Sequence, residues 1–257
     1  MGQPLGVVVG YLDAYLGIAD FPDYAEAVNG LQVENRGRVS GLVAAVDASQ
    51  QTIEAISAPE TLLLVHHGLF WGGARAVTGR HYRRVSGLLL RDAALYSAHL
   101  PLDAHPEVGN NALLAARLGL DNLQPFGQFK TRMVGLQGLV PAALANRTAL
   151  QRQVAAQVGV PPEQVKLIPG GSERVTRVAI ITGGGGNTIA EARTAGCDAL
   201  VTGEGAAHTY FDATEYGINV LYAGHYATET FGVQALAEHL SRRFDLPWAF
   251  HDHPTGM

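Results

Sequence analysis

The chain repeats itself, and the repeat limits the folds open to it. Placing Arg38-Val39-Ser40 over Arg174-Val175-Thr176 and running on without a gap sets Thr52-Ile53 over Thr188-Ile189 and the apolar run 62–65 over 198–201. Each copy reads as strand, turn, helix, strand. At a slightly different offset, Leu95-Tyr96-Ser97-Ala98-His99 lies over Leu221-Tyr222-Ala223-Gly224-His225. A carboxylate follows each histidine at the same spacing, Asp103 in one copy and Glu229 in the other. Strands alternating with helices argue for an α/β fold with much parallel pairing. The chain is therefore expected to form two interlocked, internally duplicated α/β lobes whose strand ends face a shared cleft, the usual place for a ligand in open α/β sheets. Residues 1–126 packed with a C-terminal helix in 226–257 are expected as the first lobe, and 127–225 as the second.

Periodicity and punctuation place the elements more closely. Helices are predicted over 4–17, 50–57, 81–92, 110–118, 147–158, 187–195 and 226–243. Strands are predicted over 39–46, 62–65, 94–98, 133–140, 165–168, 178–182, 199–202 and 220–223. Pro101 falls between His99 and Asp103, so that segment is predicted to be a loop.

The strand at 62–65 runs into His66-His67-Gly68. Neighbouring strand residues point to opposite faces, but at a strand end both imidazoles can reach one space. Paired histidines there are either metal ligands or satisfied structural residues. With His99, His225, Asp103 and Glu229 the pool holds more donors than one tetrahedral ion uses and suits two cations sharing a carboxylate. Nitrogen and oxygen donors without sulfur fit Zn²⁺, Mn²⁺, Fe²⁺, Co²⁺ or Ni²⁺ alike. His225 and Glu229 share a face if a helix begins near Ala223.

Other features carry weaker signals. The repeat places Glu204 at a strand end, as a group for proton transfer or substrate contact, or as a hydrogen-bonded loop carboxylate. Gly183 to Gly186 follow a strand and precede a helix. They could cradle a phosphate, or serve only a tight helix start, since a dinucleotide or Walker spacing is lacking. Phe70 and Trp71 either wall the cleft or pack in the core. His105, His208, His239, His251 and His253 read as surface or packing residues.

Composition excludes several classes. A chain of 257 residues with 47% hydrophobic and 16% charged residues can bury a sizeable core. Its net charge is -5, with Lys130 and Lys166 as its lysines, and no basic run appears, which argues against a broad nucleic-acid footprint. The single cysteine, Cys197, rules out an internal disulfide framework or a thiolate-rich metal site, and reads as a small buried hydrophobe. No apolar segment approaches the roughly 20 residues that span a bilayer, and no signal peptide is evident. A soluble, cytoplasmic chain is expected.

The segments LLLVHHGLFWGG, SAHLPLDAHPEVGNNALLAARLGL, VTGE and AGHYATETFGVQALAEHL, with DYAEAVNGLQVENRG earlier, resemble the NGG-interacting-factor-three-like family along essentially the whole chain. Its bacterial members are often named GTP cyclohydrolase I type 2 homologues. The resemblance implies a two-lobed α/β protein with two divalent metal ions, assembled as a hexameric toroid. By resemblance the metal ligands are His66, His67, Asp103, His225 and Glu229, with His99 close by as a supporting or occasional ligand. It further implies a metal-dependent hydrolase acting on a nucleotide-like small molecule, with GTP ring opening as the named activity. The alternative is a non-catalytic ring protein that binds metal or a regulatory partner.

Overall fold

The runs Leu42–Val46 and Leu62–Val65 carry no polar side chain, so a sheet built from them needs cover on both faces. The structure, a computed structural model, describes residues 2–73 and 75–256. Met1, Ala74 and Met257, which the expected lobes include, lie outside the described residues. The chain divides into two compact units, Met1–Val108 with Gly232–His253, and Gly109–Phe231 with Pro254–Met257.

The first unit begins with α1 (Leu5–Leu16), β1 (Gly30–Val33), β2 (Gly41–Asp47), α2 (Gln50–Glu54) and β3 (Thr61–His67). Next come α3 (Gly79–Leu90), β4 (Ala93–Ser97) and α4 (Leu100–Asp103). The second unit contains α5 (Asn110–Arg117), β5 (Asp121–Phe129), β6 (Arg132–Leu139), α6 (Arg147–Val158) and β7 (Lys166–Pro169). It continues through β8 (Arg177–Ile181), α7 (Ile189–Thr194), β9 (Ala199–Thr202), α8 (Thr209–Tyr216), β10 (Asn219–Tyr222) and α9 (His225–Thr228). Helix α10 (Thr230–Phe244), from Gly232 onward, and β11 (Trp248–Phe250) belong to the first unit.

In the first unit the strand order is β11-β2-β3-β4-β1, parallel except for β1. Strand alternation sorts the side chains into two layers. Leu42, Ala44, Leu62, Leu64, Ala94 and Tyr96 pack with Leu12 of α1 and Val233 and Leu236 of α10. Val43, Ala45, Leu63, Val65, Ala93 and Leu95 pack on the other face with Ile53 of α2 and Leu88 of α3. Each fully buried leucine of this kind contributes roughly 2 kcal/mol of transfer free energy.

The second unit has the order β5-β6-β8-β9-β10-β7. Strands β8, β9 and β10 are parallel and β7 runs antiparallel against β10, just as β1 does against β4. The two sheets thus share a four-strand core of the same order and direction, three strands of which the repeat predicts. The outer edges differ: a parallel β11 flanks one core, and the antiparallel β5–β6 hairpin flanks the other.

Four expectations need correction. The first boundary falls after Val108 rather than at 126, because Leu114, Ala115, Leu118 and Leu120 bury themselves against Val154, Val178 and Val201 of the second unit. The second boundary falls at Phe231 rather than 225, because Phe231 joins that same core. The segment after His99 is a short helix and not a loop, since Pro101 sits in its first turn, where a missing N–H costs nothing. The predicted helix 226–243 is interrupted at Glu229, whose backbone (φ -108, ψ 5) separates α9 from α10. Strands β1, β5 and β11 and helix α8 have no counterpart among the predicted elements.

Candidate metal centre

Two sets of side chains that could hold a metal ion stand at the carboxyl ends of the parallel strands, one in each unit. In the first unit β3 extends through His67, so both histidines lie on the strand, and their rings nevertheless approach to 4.8 Å between centroids. His99 follows β4 and caps α4; its ring lies 4.9 Å from that of His66 and 5.7 Å from that of His67. One ligand atom from each of these three imidazoles lies within 4.8 Å of the other two. Asp103, buried at the end of α4, brings Oδ2 to 3.5 Å from His66 Nε2.

The other ring nitrogen of each histidine is tied to an oxygen that can only accept. His66 Nδ1 donates to the Ala98 carbonyl at 2.9 Å, and His67 Nδ1 to Asp47 Oδ1 at 3.0 Å. His99 Nδ1 donates to Asp23 Oδ1 at 3.0 Å. Nδ1 therefore carries a proton, and in the neutral ring Nε2 is the nitrogen that can bind a cation. Asp23 also accepts from the amides of Tyr24 and Leu100 and from Asn29 Nδ2. Burial works to raise its carboxyl, but the hydrogen bond and charge of His99, with Asn29 and the Tyr24 amide, hold it below the ordinary carboxylate range.

In the second unit β10 delivers His225 to the start of α9, and its Nε2 lies 3.2 Å from Oε1 of the buried Glu229. His225 Nδ1 donates to Glu204 Oε1 at 2.8 Å, repeating the arrangement of the first unit. The hydrogen bond with Glu229 does most to raise the imidazole, burial opposes it, and Glu204 adds to the rise, so His225 is pushed up to about 9. Gly183 makes the close approach possible. Its φ is +67, and a Cβ there would collide with Glu229 Oε1.

The six ligand candidates from the sequence fall in these sets, His66, His67, His99 and Asp103 in the first and His225 and Glu229 in the second, with Glu204 beside His225. Glu204, expected either to transfer a proton or contact substrate or to be a hydrogen-bonded loop carboxylate, accepts from His225 Nδ1. Asp23 and Asp47 were missed. Asp47 carries a readable signal, since it ends the strand preceding the histidine strand and is the register partner of His67. Asp23 lies in a polar loop where nothing marks it.

Several open alternatives close. Trp71 stands edge-on to His99 at 4.8 Å, beside the donors, whereas Phe70 meets His81 at 5.2 Å and packs on the core. Three of the four glycine amides that might hold a phosphate are engaged: Gly183 donates to Thr228 Oγ1, Gly185 to Thr202 Oγ1 and Gly186 to the Glu204 carbonyl. Cys197 is buried, and burial pushes its thiol up to about 12.

The donor chemistry of both sets fits divalent cations. Residues 5–255 match the family described as Duf34/NIF3 (NGG1p interacting factor 3). The chain belongs to the Duf34/NIF3 family. Among Duf34/NIF3 relatives, the GTP cyclohydrolase 1 type 2 homolog of Deinococcus radiodurans is 45% identical, across 97% of this chain and 93% of the relative. The protein of the same name from Halobacterium salinarum is also 45% identical, across 91% of this chain and 93% of its own. The crystal structure of TTHA1606 from Thermus thermophilus superposes with a TM-score of 0.87 at 41% identity, covering 99% of this chain and 100% of that one. None of the described helices is long and apolar enough to cross a membrane.

Proposed function

We propose that the two donor sets serve one dinuclear centre and that the protein is a metal-dependent hydrolase of a nucleotide-like small molecule. His66, His67, Asp103, His225 and Glu229 are its ligands in this reading, with His99 beside them. The observation that carries it is the uniform tethering of four imidazoles through Nδ1, three by carboxylates and one by a backbone carbonyl. Packing alone has no need for that regularity, whereas a cation site gains both orientation and ligand basicity from it.

When bound, divalent cations supply Lewis acidity and bring the ionisation of water toward neutral pH. The chain's own residues do the rest. Asp47, Asp23 and Glu204 fix the rings of His67, His99 and His225 and keep their Nδ1 atoms protonated. Glu229 and Asp103, both buried, supply negative charge that offsets the cations. Trp71 stands edge-on against His99. The name shared by the relatives makes ring opening of GTP the first reaction to assay, and a hexameric ring is the assembly we expect.

The description of the family as an interacting factor favours a second reading, a metal-binding protein that acts through a partner. One experiment separates the two. Metal content, formate release from GTP and hydrolysis of generic phosphoesters are measured on wild type, His66→Ala and Glu229→Ala. Turnover that disappears together with the metal supports the hydrolase. Metal loss with every assay blank throughout supports the second reading, and less than one ion per wild-type chain removes the dinuclear centre.

A further inference from the structure

The loops that follow β8 and β9 enclose a pocket of about 390 Å³ within the second unit. That is the size of a small-molecule site, which typically spans roughly 300–1,000 Å³. It lies outside the carboxyl ends of two adjacent parallel strands, where open α/β sheets hold ligands. Gly184 forms one wall, and a Cβ there would be 3.9 Å from Cε1 of His225, so the pocket extends to the edge of a proposed metal ligand.

The lining decides what the pocket accepts. Glu204 contributes a half-exposed carboxylate whose Oε1 takes the His225 proton. No other described side chain pairs with that carboxylate, so Oε2 is available to a ligand donor. Asn187 adds an amide, with a carbonyl that accepts. No lysine or arginine lines the cavity, and His208 at its rim faces Asp212 at 4.0 Å. The nearby amides of Gly183, Gly185 and Gly186 already donate within the protein. An anion would therefore meet a carboxylate, whereas an N–H group would meet acceptors.

We propose that this pocket is a substrate subsite for a neutral or cationic group presenting adjacent N–H donors, such as an amidine or the amide edge of a nitrogen heterocycle, read by Glu204 Oε2 and the Asn187 carbonyl. Calling the occupant a substrate rests on the hydrolase reading above. Glu204 then has two tasks. One oxygen positions His225 and the other selects the ligand, which ties recognition to the alignment of a proposed metal ligand.

The test is binding to the full chain, with its metal and after chelation, followed by NMR with guanosine, benzamidine and inorganic phosphate as probes. Guanosine and benzamidine should shift resonances around Asn187 and Glu204, and phosphate should not. Glu204→Gln keeps a carbonyl to accept from His225 but replaces Oε2 with a donor. Affinity of this variant for both nitrogenous probes should fall about tenfold in metal-loaded and chelated protein alike. Asn187→Ala, away from the imidazole, should weaken them about fivefold with metal content unchanged. Undiminished binding in both variants, or phosphate binding at these residues, overturns the subsite. A wild-type protein without metal whose two variants still lose the probes supports the pocket and sinks the metal reading, so the two failures are distinguishable.

Discussion

His67 and Asp47 are register partners on adjacent parallel strands, and Nδ1 of the one lies 3.0 Å from Oδ1 of the other. The backbone pairing that builds the sheet also sets the rotamer and tautomer of a proposed metal ligand. Asp47→Ala should therefore lower metal affinity about 10- to 100-fold, the usual cost of losing such a partner. Asp47→Asn, whose Oδ1 can still accept, should lose less. Competition against a chelating dye measures both. Because the Asp47 side chain is 42% exposed, far-ultraviolet circular dichroism should stay unchanged. Equal affinity in wild type and Asp47→Ala would remove the orienting role.

Proton and metal should compete at His225. Its folded value, about 9, lies above the 6.5 of the unfolded chain. In metal-free protein the contribution of this group to stability is therefore fully present below pH 6.5 and is lost as pH rises through about 9. Urea melts of chelated wild type and His225→Asn across that window should converge at high pH. In the same window a cation must displace the proton, so metal affinity should climb with pH and binding should release acid, measurable in weakly buffered solution. A flat affinity between pH 6.5 and 9 would contradict this.

Chelation should lower the thermal midpoint and added metal should restore it. A ligand that binds only the folded state at 100 times its Kd stabilises by about 2.7 kcal/mol. His66→Ala, which removes a buried imidazole from the donor set, should abolish the metal-dependent part of the shift in differential scanning calorimetry. If the metal-dependent shift persists in that variant, His66 is not a ligand.

Two neighbouring glycines should behave differently. Gly183→Ala forces a side chain into left-handed backbone and against Glu229, and should cost about 1–3 kcal/mol as well as metal. Gly184 has φ -87 and ordinary contact distances, so Gly184→Ala should melt within about 0.5 kcal/mol of wild type. Similar destabilisation of both would mean that the glycines matter only for flexibility.

Much of the core was legible because burial on both strand faces leaves an unmistakable pattern. The runs 42–46 and 62–65 could be matched to 178–182 and 198–201 by sequence alone, and they became corresponding parallel strands. Strand β5 was not legible. It holds Pro125 and Gly127 among exposed polar residues, and only its place at the sheet edge makes a proline there acceptable. Helix α5 was recognised as a helix but assigned to the wrong unit, because an apolar stripe does not state which core it will cover.

The sequence by itself determined the α/β repeat, the family and the donor types, since apolar periodicity, residue chemistry and spacing are local properties of the chain. The tertiary structure decided the tethers. Asp23 is 76 positions from His99, and Glu204 is 21 from His225. Hydrogen bonds of that kind depend on where loops from different strands end up, and no local pattern encodes it. Folding thus set Glu204 against His225, and made the tethering of Nδ1 common to His66, His67, His99 and His225.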